Sequence, residues 1–334
     1  MGSTLSQEPY PPFILSLVIS IPSIVLYIVE VSVMILNPKE FRSAFFRLFI
    51  ARFFSNFVGY ITSFPYLRFV RVGLFSDFYR TLSPRFLAVV FFYNFYNFHA
   101  ENLSTMFILL NRVTLIIYPT RHDKIWKYCL PVAILITYSV PLAFTYPILG
   151  YDFYLRLQAD NWTYTLDFYK VQGKTYINSV YYAAVSAISF CLICGALNLL
   201  TLFLYRRSNK RREHSTDTAR NMQREIESRL TIYAFVTFAA QLFYSLFWIL
   251  AYSSTMIASR DNIFLATINQ GPWVADLCTL VLPAWVLIWA SSKIKTPVYR
   301  IFKVNRWPLV GNRAKVDSQQ SVILVTVSSN QYDK

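Results

Sequence analysis

Seven stretches of the chain are apolar for about the 20 residues that a bilayer core demands. They are 12–36, 44–66, 86–117, 129–149, 177–204, 230–252 and 273–291, and polar segments separate them. The fourth, fifth and sixth contain no Asp, Glu, Lys or Arg. Arg47 and Arg52 interrupt the second, Glu101 and Arg112 the third, and Glu30 and Asp276 stand alone in the first and last. Backbone polar groups in hydrocarbon must bond within their own segment, so each run predicts a helix. The runs are too long and unbroken for the short alternating strands of a barrel. The pattern predicts an all-α membrane protein: a seven-transmembrane helix bundle over 12–304, a short N-terminal segment 1–11, and a disordered tail 305–334.

Composition narrows the class. The chain is 55% hydrophobic and 15% charged with mean hydropathy +0.38, where a soluble domain carries about 25% charge. That excludes a disordered chain and argues against a soluble enzyme, and eight Gly leave little for phosphate-cradling loops. The net charge of +15 would suggest nucleic acid in a soluble domain. On an apolar chain it points instead to basic cytoplasmic loops facing a lipid bilayer.

The distribution of that charge sets an orientation. With the N-terminus outside and the C-terminus inside, the inner segments 37–43, 118–128, 205–229 and 292–334 hold 21 Lys and Arg. The outer segments hold 8. No basic residue precedes the first span, and Lys39 and Arg42 follow it, so it reads as a retained span rather than a cleaved leader. The opening MGSTLS fits a myristoylation pattern, but an extracellular N-terminus is out of reach of a cytosolic acyltransferase. Asn161, in the sequon Asn161-Trp162-Thr163 of an outer loop, is a candidate glycosylation site. The four cysteines all fall within spans, which leaves none for an extracellular disulfide. Cys191 and Cys194 make a lone Cys-x-x-Cys whose simplest role is packing. Nothing in the pattern calls for a metal or cofactor, and no HExxH occurs.

Ionisable residues inside a span are costly and are functional candidates by default. In the third span, Asn94, Phe98, Glu101, Thr105 and Arg112 recur at spacings of 4, 3, 4 and 7, which places them on one helical face. Glu101 lies about 16 Å above Arg112 at 1.5 Å per residue. The stripe predicts an outer half that lines a ligand cavity, built from Asn94, Phe98, His99 and Glu101 with Asp276. Its inner end places Arg112 towards the cytoplasm. Glu30 and Arg52 lie at similar depths in the first two spans, and a buried structural ion pair between them is the simplest expectation. The segment 205–229 carries eight basic and four acidic residues and predicts extensions of the flanking helices into water. A short helix with alternating basic and apolar residues follows the last span, and the tail after it offers Ser318, Ser321, Thr326, Ser328 and Ser329 as phosphorylation acceptors.

Seven helices, an Arg closing the third and a basic third inner loop resemble a G-protein-coupled receptor. In LNRVTLIIYP, Pro119 stands seven residues after Arg112, the spacing of that class's DRYxxxxxP motif, with Asn111 in place of the acid. SAFFRLFIARFFSN at 43–56 and LNRVTLIIYPTRHDKIWKYCLP at 110–131 are similar to the nematode serpentine chemoreceptors of class gamma. That resemblance covers roughly residues 12–305. It implies a chemosensory or orphan receptor in the plasma membrane, a sensory cilium included. Its partners would be an extracellular small-molecule or peptide ligand and a heterotrimeric G protein, with Arg112, Asn111 and Pro119 at the coupling face. The chain departs from rhodopsin-like receptors at Leu282-Pro283-Ala284-Trp285-Val286, where NPxxY is expected, and Trp248 has no accompanying proline. Asn94, eighteen residues before Arg112, replaces the carboxylate that amine receptors hold there. The alternatives are a ligand-gated channel of inverted seven-helix topology, which the charge split disfavours, and a transporter, whose inverted repeat is not visible.

Overall fold

The structure is a computed structural model that describes residues 10–157, 164–169, 179–212, 218–254 and 260–302. Seven helical stretches in it are long and apolar enough to cross a membrane: Tyr10–Leu36, Ala44–Phe69, Pro84–Ile117, His122–Gly150, Val180–Arg207, Ser228–Ser254 and Ala266–Ala290. The bundle belongs to the unit Met1–Lys295. A second unit, Thr296–Lys334, is described only as far as residue 302.

Helix α1 (Tyr10–Leu36) leads to α2 (Ala44–Ser63), which widens into a π turn over Phe64–Phe69. Pro65 opens that turn; it has no N–H to give and its ring crowds the preceding turn, and widening relieves both. A tight turn with Gly73 at φ 73° and Phe75 at φ 58° then reverses the chain into the short α3 (Ser76–Arg80). Helix α4 (Pro84–Ile117) starts on a complete N-cap. The Ser83 hydroxyl accepts from Phe86 N at 3.2 Å and Pro84 occupies the first helical position, where its missing N–H costs nothing.

Helix α5 (His122–Thr145) closes in a 3₁₀ turn, Tyr146–Gly150. Strands β1 (Phe153–Leu157) and β2 (Tyr164–Phe168) pair antiparallel, with Phe153 opposite Phe168 and Leu157 opposite Tyr164. Helices α6 (Ser179–Arg212) and α7 (Thr218–Ser254) follow. The last span is split into α8 (Arg260–Asp276), a π turn at Leu277–Val281, and α9 (Leu282–Ala290). Helix α10 (Ser292–Ile301) ends the described chain.

The distribution of burial assigns the helices their places. The apolar window of α4 is 67% buried, against 22% for α6 and 28% for α5, so α4 is the central post. It packs on α2, α5, α6 and α7. Leu135 of α5 and Leu192 and Leu199 of α6 are among the exposed apolar side chains, and such a surface suits lipid rather than water. Helices in lipid gain little from burying apolar surface, and close packing and polar contacts hold them together instead. The packing here is aromatic: Phe98 meets Tyr244 and Trp248 with ring centroids 5.3 and 5.4 Å apart. At the other end Cys194 is buried with Leu109 and Ala234.

The helical pattern did not predict the β-hairpin. Phe153 is buried against Phe91 of α4, with centroids 4.7 Å apart. Tyr164 accepts a hydrogen bond from Arg80 at 2.5 Å, and the hairpin thereby ties α3 to α4. The segment expected to extend the fifth and sixth spans is helical through Arg212 and again from Thr218, and the side chains of 208–227 lie outside the described residues. Asn161 and the tail serines and threonines lie outside them as well.

Candidate functional site

A cavity of about 100 Å³ opens among α2, α4, α7 and the last span. That is the scale of a site for a benzene-sized molecule, about 150 Å³. Asn56, Tyr60 and Ser63 line it from α2, and Arg68 and Arg71 from the turn beyond. Asn94 and Asn97 reach it from α4, Tyr244 and Trp248 from α7, and Asp276 and Thr279 from the last span. Both π turns of the bundle border it, a placement that recurs at functional sites. Gly59 lets α2 and α4 meet closely here, since a Cβ on it would lie 2.7 Å from the Asn97 amide nitrogen. Ser55 holds Asn97 by donating to its Oδ1 at 2.8 Å.

Arg68 and Asp276 form the charged wall. The guanidinium donates to Oδ2 at 2.5 Å and to Oδ1 at 2.7 Å, the forked geometry that makes Arg–carboxylate pairs strong. Ser16 of α1 donates to Oδ2 at 2.6 Å and accepts from Arg68 at 2.7 Å. The rings of Tyr60 and Phe64 each lie 5.3 Å from the same guanidinium. This one cluster joins α1, α2 and the last span.

Asn56 of the second span and Arg71, just beyond its end, serve the prolines of the seventh. Pro272 has no N–H to offer the carbonyl of Ile268, four residues back. The Arg71 guanidinium donates to that oxygen at 2.6 Å. Pro283 likewise leaves Thr279, four residues back, and Asn56 Nδ2 donates to its carbonyl at 3.0 Å. Carbonyls freed by proline in a membrane helix need such outside donors.

The stripe on α4 faces the bundle: Phe98, Glu101, Thr105 and Arg112 are all buried. Only part of the expected pocket comes together, however. Asn94 and Asp276 line the cavity; Phe98, His99 and Glu101 do not. Phe98 stands behind Tyr244 and Trp248. His99 turns to Phe144 of α5, with ring centroids 5.7 Å apart.

Glu101 accepts from Arg52, through Nε at 2.8 Å and through Nη2. The pair expected between Glu30 and Arg52 is therefore not formed. Arg52 and Glu30 match in depth, but Arg52 points at α4, the central helix, and Glu101 claims it. Glu30 is wholly buried, and neither of its carboxyl oxygens has a hydrogen-bond partner among the described residues.

At the far end of α4, Arg112 was expected to reach cytoplasmic water. Instead it is 4% exposed, its guanidinium carbon 4.1 Å from the centre of the Phe45 ring. Phe45 also meets Tyr233 of α7, edge to face, at 5.4 Å. Asn111 is hydrogen-bonded through its amide nitrogen to His122 Nε2 at 3.0 Å. Trp126 of α5 donates to Thr114 at 2.8 Å, and Pro119 lies in the exposed turn between α4 and α5.

Arg68, Arg71, Asn56 and Asn97 were absent from the sequence expectation. Hydropathy ended the second span at residue 66, which assigned Arg68 and Arg71 to an outer loop. The helix continues through the π turn to Phe69. The unpaired Asp276 was the available signal, because a carboxylate in a span needs a cation within reach.

The sequence profile of the Srg family chemoreceptors matches residues 13–298. The chain is also 25% identical over 292 residues to serpentine receptor class gamma-31 of Caenorhabditis elegans, covering 84% of this chain and 88% of that protein. These matches and the seven spans together describe a multi-pass membrane protein of a receptor class rather than an enzyme class.

Proposed function

The chain belongs to the Srg family of chemoreceptors, and from that premise we propose a receptor that passes extracellular ligand binding to a heterotrimeric G protein. The N-terminus lies outside and the C-terminus inside, in keeping with 21 basic residues in the segments this places in the cytoplasm. The cavity at the hairpin end then faces outward and holds the ligand, with Asn94 and Asp276 in its wall.

One contact supports the coupling role above the others: Arg112 sits under the ring of Phe45, which also packs on Tyr233 of α7. In this arrangement the coupling residue is covered. A ligand shifts the balance only if it favours the arrangement in which α7 withdraws, Phe45 follows Tyr233, and Arg112 is uncovered. Asn111 and Pro119 border the same face.

The test is to measure G-protein activation and surface level on the same cells. Arg112→Ala should abolish ligand-evoked activation at near-normal surface level. Arg112→Lys should also impair it, because a point charge does not replace a planar fork of five donors. Full activation by the Lys variant would reduce Arg112 to a basic anchor. A tag before Pro11 reachable on intact cells supports the orientation, and a reachable tag after Lys334 would overturn it.

A further inference from the structure

The charges that border the cavity do not cancel. Two guanidinium groups, Arg68 and Arg71, face one carboxylate, Asp276. Both Asp276 oxygens are engaged by Arg68. Arg71 has no carboxylate within ion-pair distance among the described residues; its guanidinium donates instead to the backbone carbonyl of Ile268. A neutral carbonyl satisfies a donor but leaves the cation's charge unbalanced, and a partly buried cation is best stabilised by an anion. Phe247, Trp248 and Ile268 supply apolar surface to the same cavity.

We propose that the cavity binds a small organic anion, its carboxylate on Arg71 and its apolar body against Phe247 and Trp248. The site rests on the reading of this cavity as the receptor's ligand site. Binding has a built-in consequence for the last span. An anion that takes the Nη1–Nη2 edge of the fork competes for Nη1, the donor that now serves the Ile268 carbonyl, and Pro272 has no N–H to replace it. The anion therefore draws Arg71 off the proline turn, and the bend of α8 at Pro272 changes. Ligand charge is thus coupled to helix geometry through one side chain.

The probe is butyrate, with butyramide and butylamine as neutral and cationic matches of similar size. Each is titrated at pH 7 and constant ionic strength against the purified full-length protein in lipid nanodiscs, and thermal unfolding is followed. Butyrate should raise Tm in a saturable way, and the amide and amine should leave it unchanged. Arg71→Gln should weaken butyrate about tenfold to a hundredfold, the range of a lost charge-assisted hydrogen bond. If Arg71→Gln does not fold, Arg71→Lys takes its place; it keeps the charge, loses the fork, and should bind severalfold more weakly. Pro272→Ala restores a backbone donor to Ile268 and should bind butyrate more tightly, since releasing Arg71 then leaves no orphan carbonyl.

An equal Tm shift with butyramide, no shift with butyrate, or wild-type affinity in the Arg71 variant that folds would each overturn the proposal. The G-protein reading fails separately. A protein that binds butyrate yet activates no G protein keeps this site and loses the coupling role. One that signals to another ligand and ignores butyrate keeps coupling and loses the site.

Discussion

Among the described residues the bundle contains two buried ion pairs, and they are built to opposite standards. Arg68–Asp276 uses both carboxylate oxygens, is buttressed by Ser16, and has two aromatic rings beside its cation. Arg52–Glu101 directs two donors at a single oxygen, and Glu101 Oε2 has no hydrogen-bond partner among the described residues. Glu30, fully buried, adds two more such oxygens. The complete pair lines the cavity; the incomplete one lies deeper, about 24 Å along the same helix by its rise of 1.5 Å per residue. A fully satisfied buried network rigidifies what it joins, whereas an unpaired buried polar atom is a cost that another arrangement can relieve. On that physics the Arg68–Asp276 junction is held in one geometry, and the deep pair is where a change of helix arrangement costs less.

The largest effect should come from breaking the deep pair. Arg52→Met leaves Glu101 in the packed centre without its cation, a loss of about 3–5 kcal/mol for an orphaned buried charge. Thermal unfolding in nanodiscs should show it as a large drop in Tm. Adding Glu101→Leu should recover most of the loss, because a buried pair replaced as a unit by apolar side chains is near neutral. A double variant as unstable as the single one would mean that Arg52 acts through other partners.

Asp276→Asn should cost less, about 1–3 kcal/mol. The amide still offers Arg68 one oxygen, Ser16 stays beside the guanidinium, and the cavity admits water. The contrast with Arg52→Met measures how far the cavity end is better satisfied, and equal losses would erase it. The same variant has a second readout of opposite sign. With Asp276 neutral, two cations face the cavity uncompensated, and butyrate should bind more tightly than to the wild type.

Much of this architecture was legible in the sequence, and the misses share a cause. The seven spans follow from hydropathy, because water and lipid impose one rule on every segment. The inward stripe of α4 follows from helical periodicity. The partner of Arg52 did not follow, because depth along two helices does not state which way each side chain points. Arg68 and Arg71 were lost because a hydropathy window ends at charge, whereas the span runs on to Phe69 with Arg68 paired inside and Arg71 two residues beyond its end. Proline positions held usable information: Pro272 and Pro283 each announce an orphan carbonyl four residues back, and the donors that answer, Arg71 and Asn56, line the cavity. The hairpin left no comparable trace, since five-residue strands in a loop carry too few alternations to register.

The smallest expected effect is the most direct check on the incomplete pair. Glu30→Gln changes neither the shape nor the volume of a side chain whose oxygens make no hydrogen bond among the described residues. With no bond to lose, the change should stay within about 1 kcal/mol of the wild type. Were Glu30 the working partner of Arg52, as matched depth alone suggests, the same variant would remove a buried counter-charge and cost about 3–5 kcal/mol. Signalling sharpens the reading further. If activation moves Arg52 from Glu101 towards Glu30, the amide is a poorer destination than the acid, and Glu30→Gln should lower ligand-evoked output while leaving Tm in place. A variant unchanged in both would make Glu30 a passive occupant of the core and return the deep pair to Arg52 and Glu101 alone.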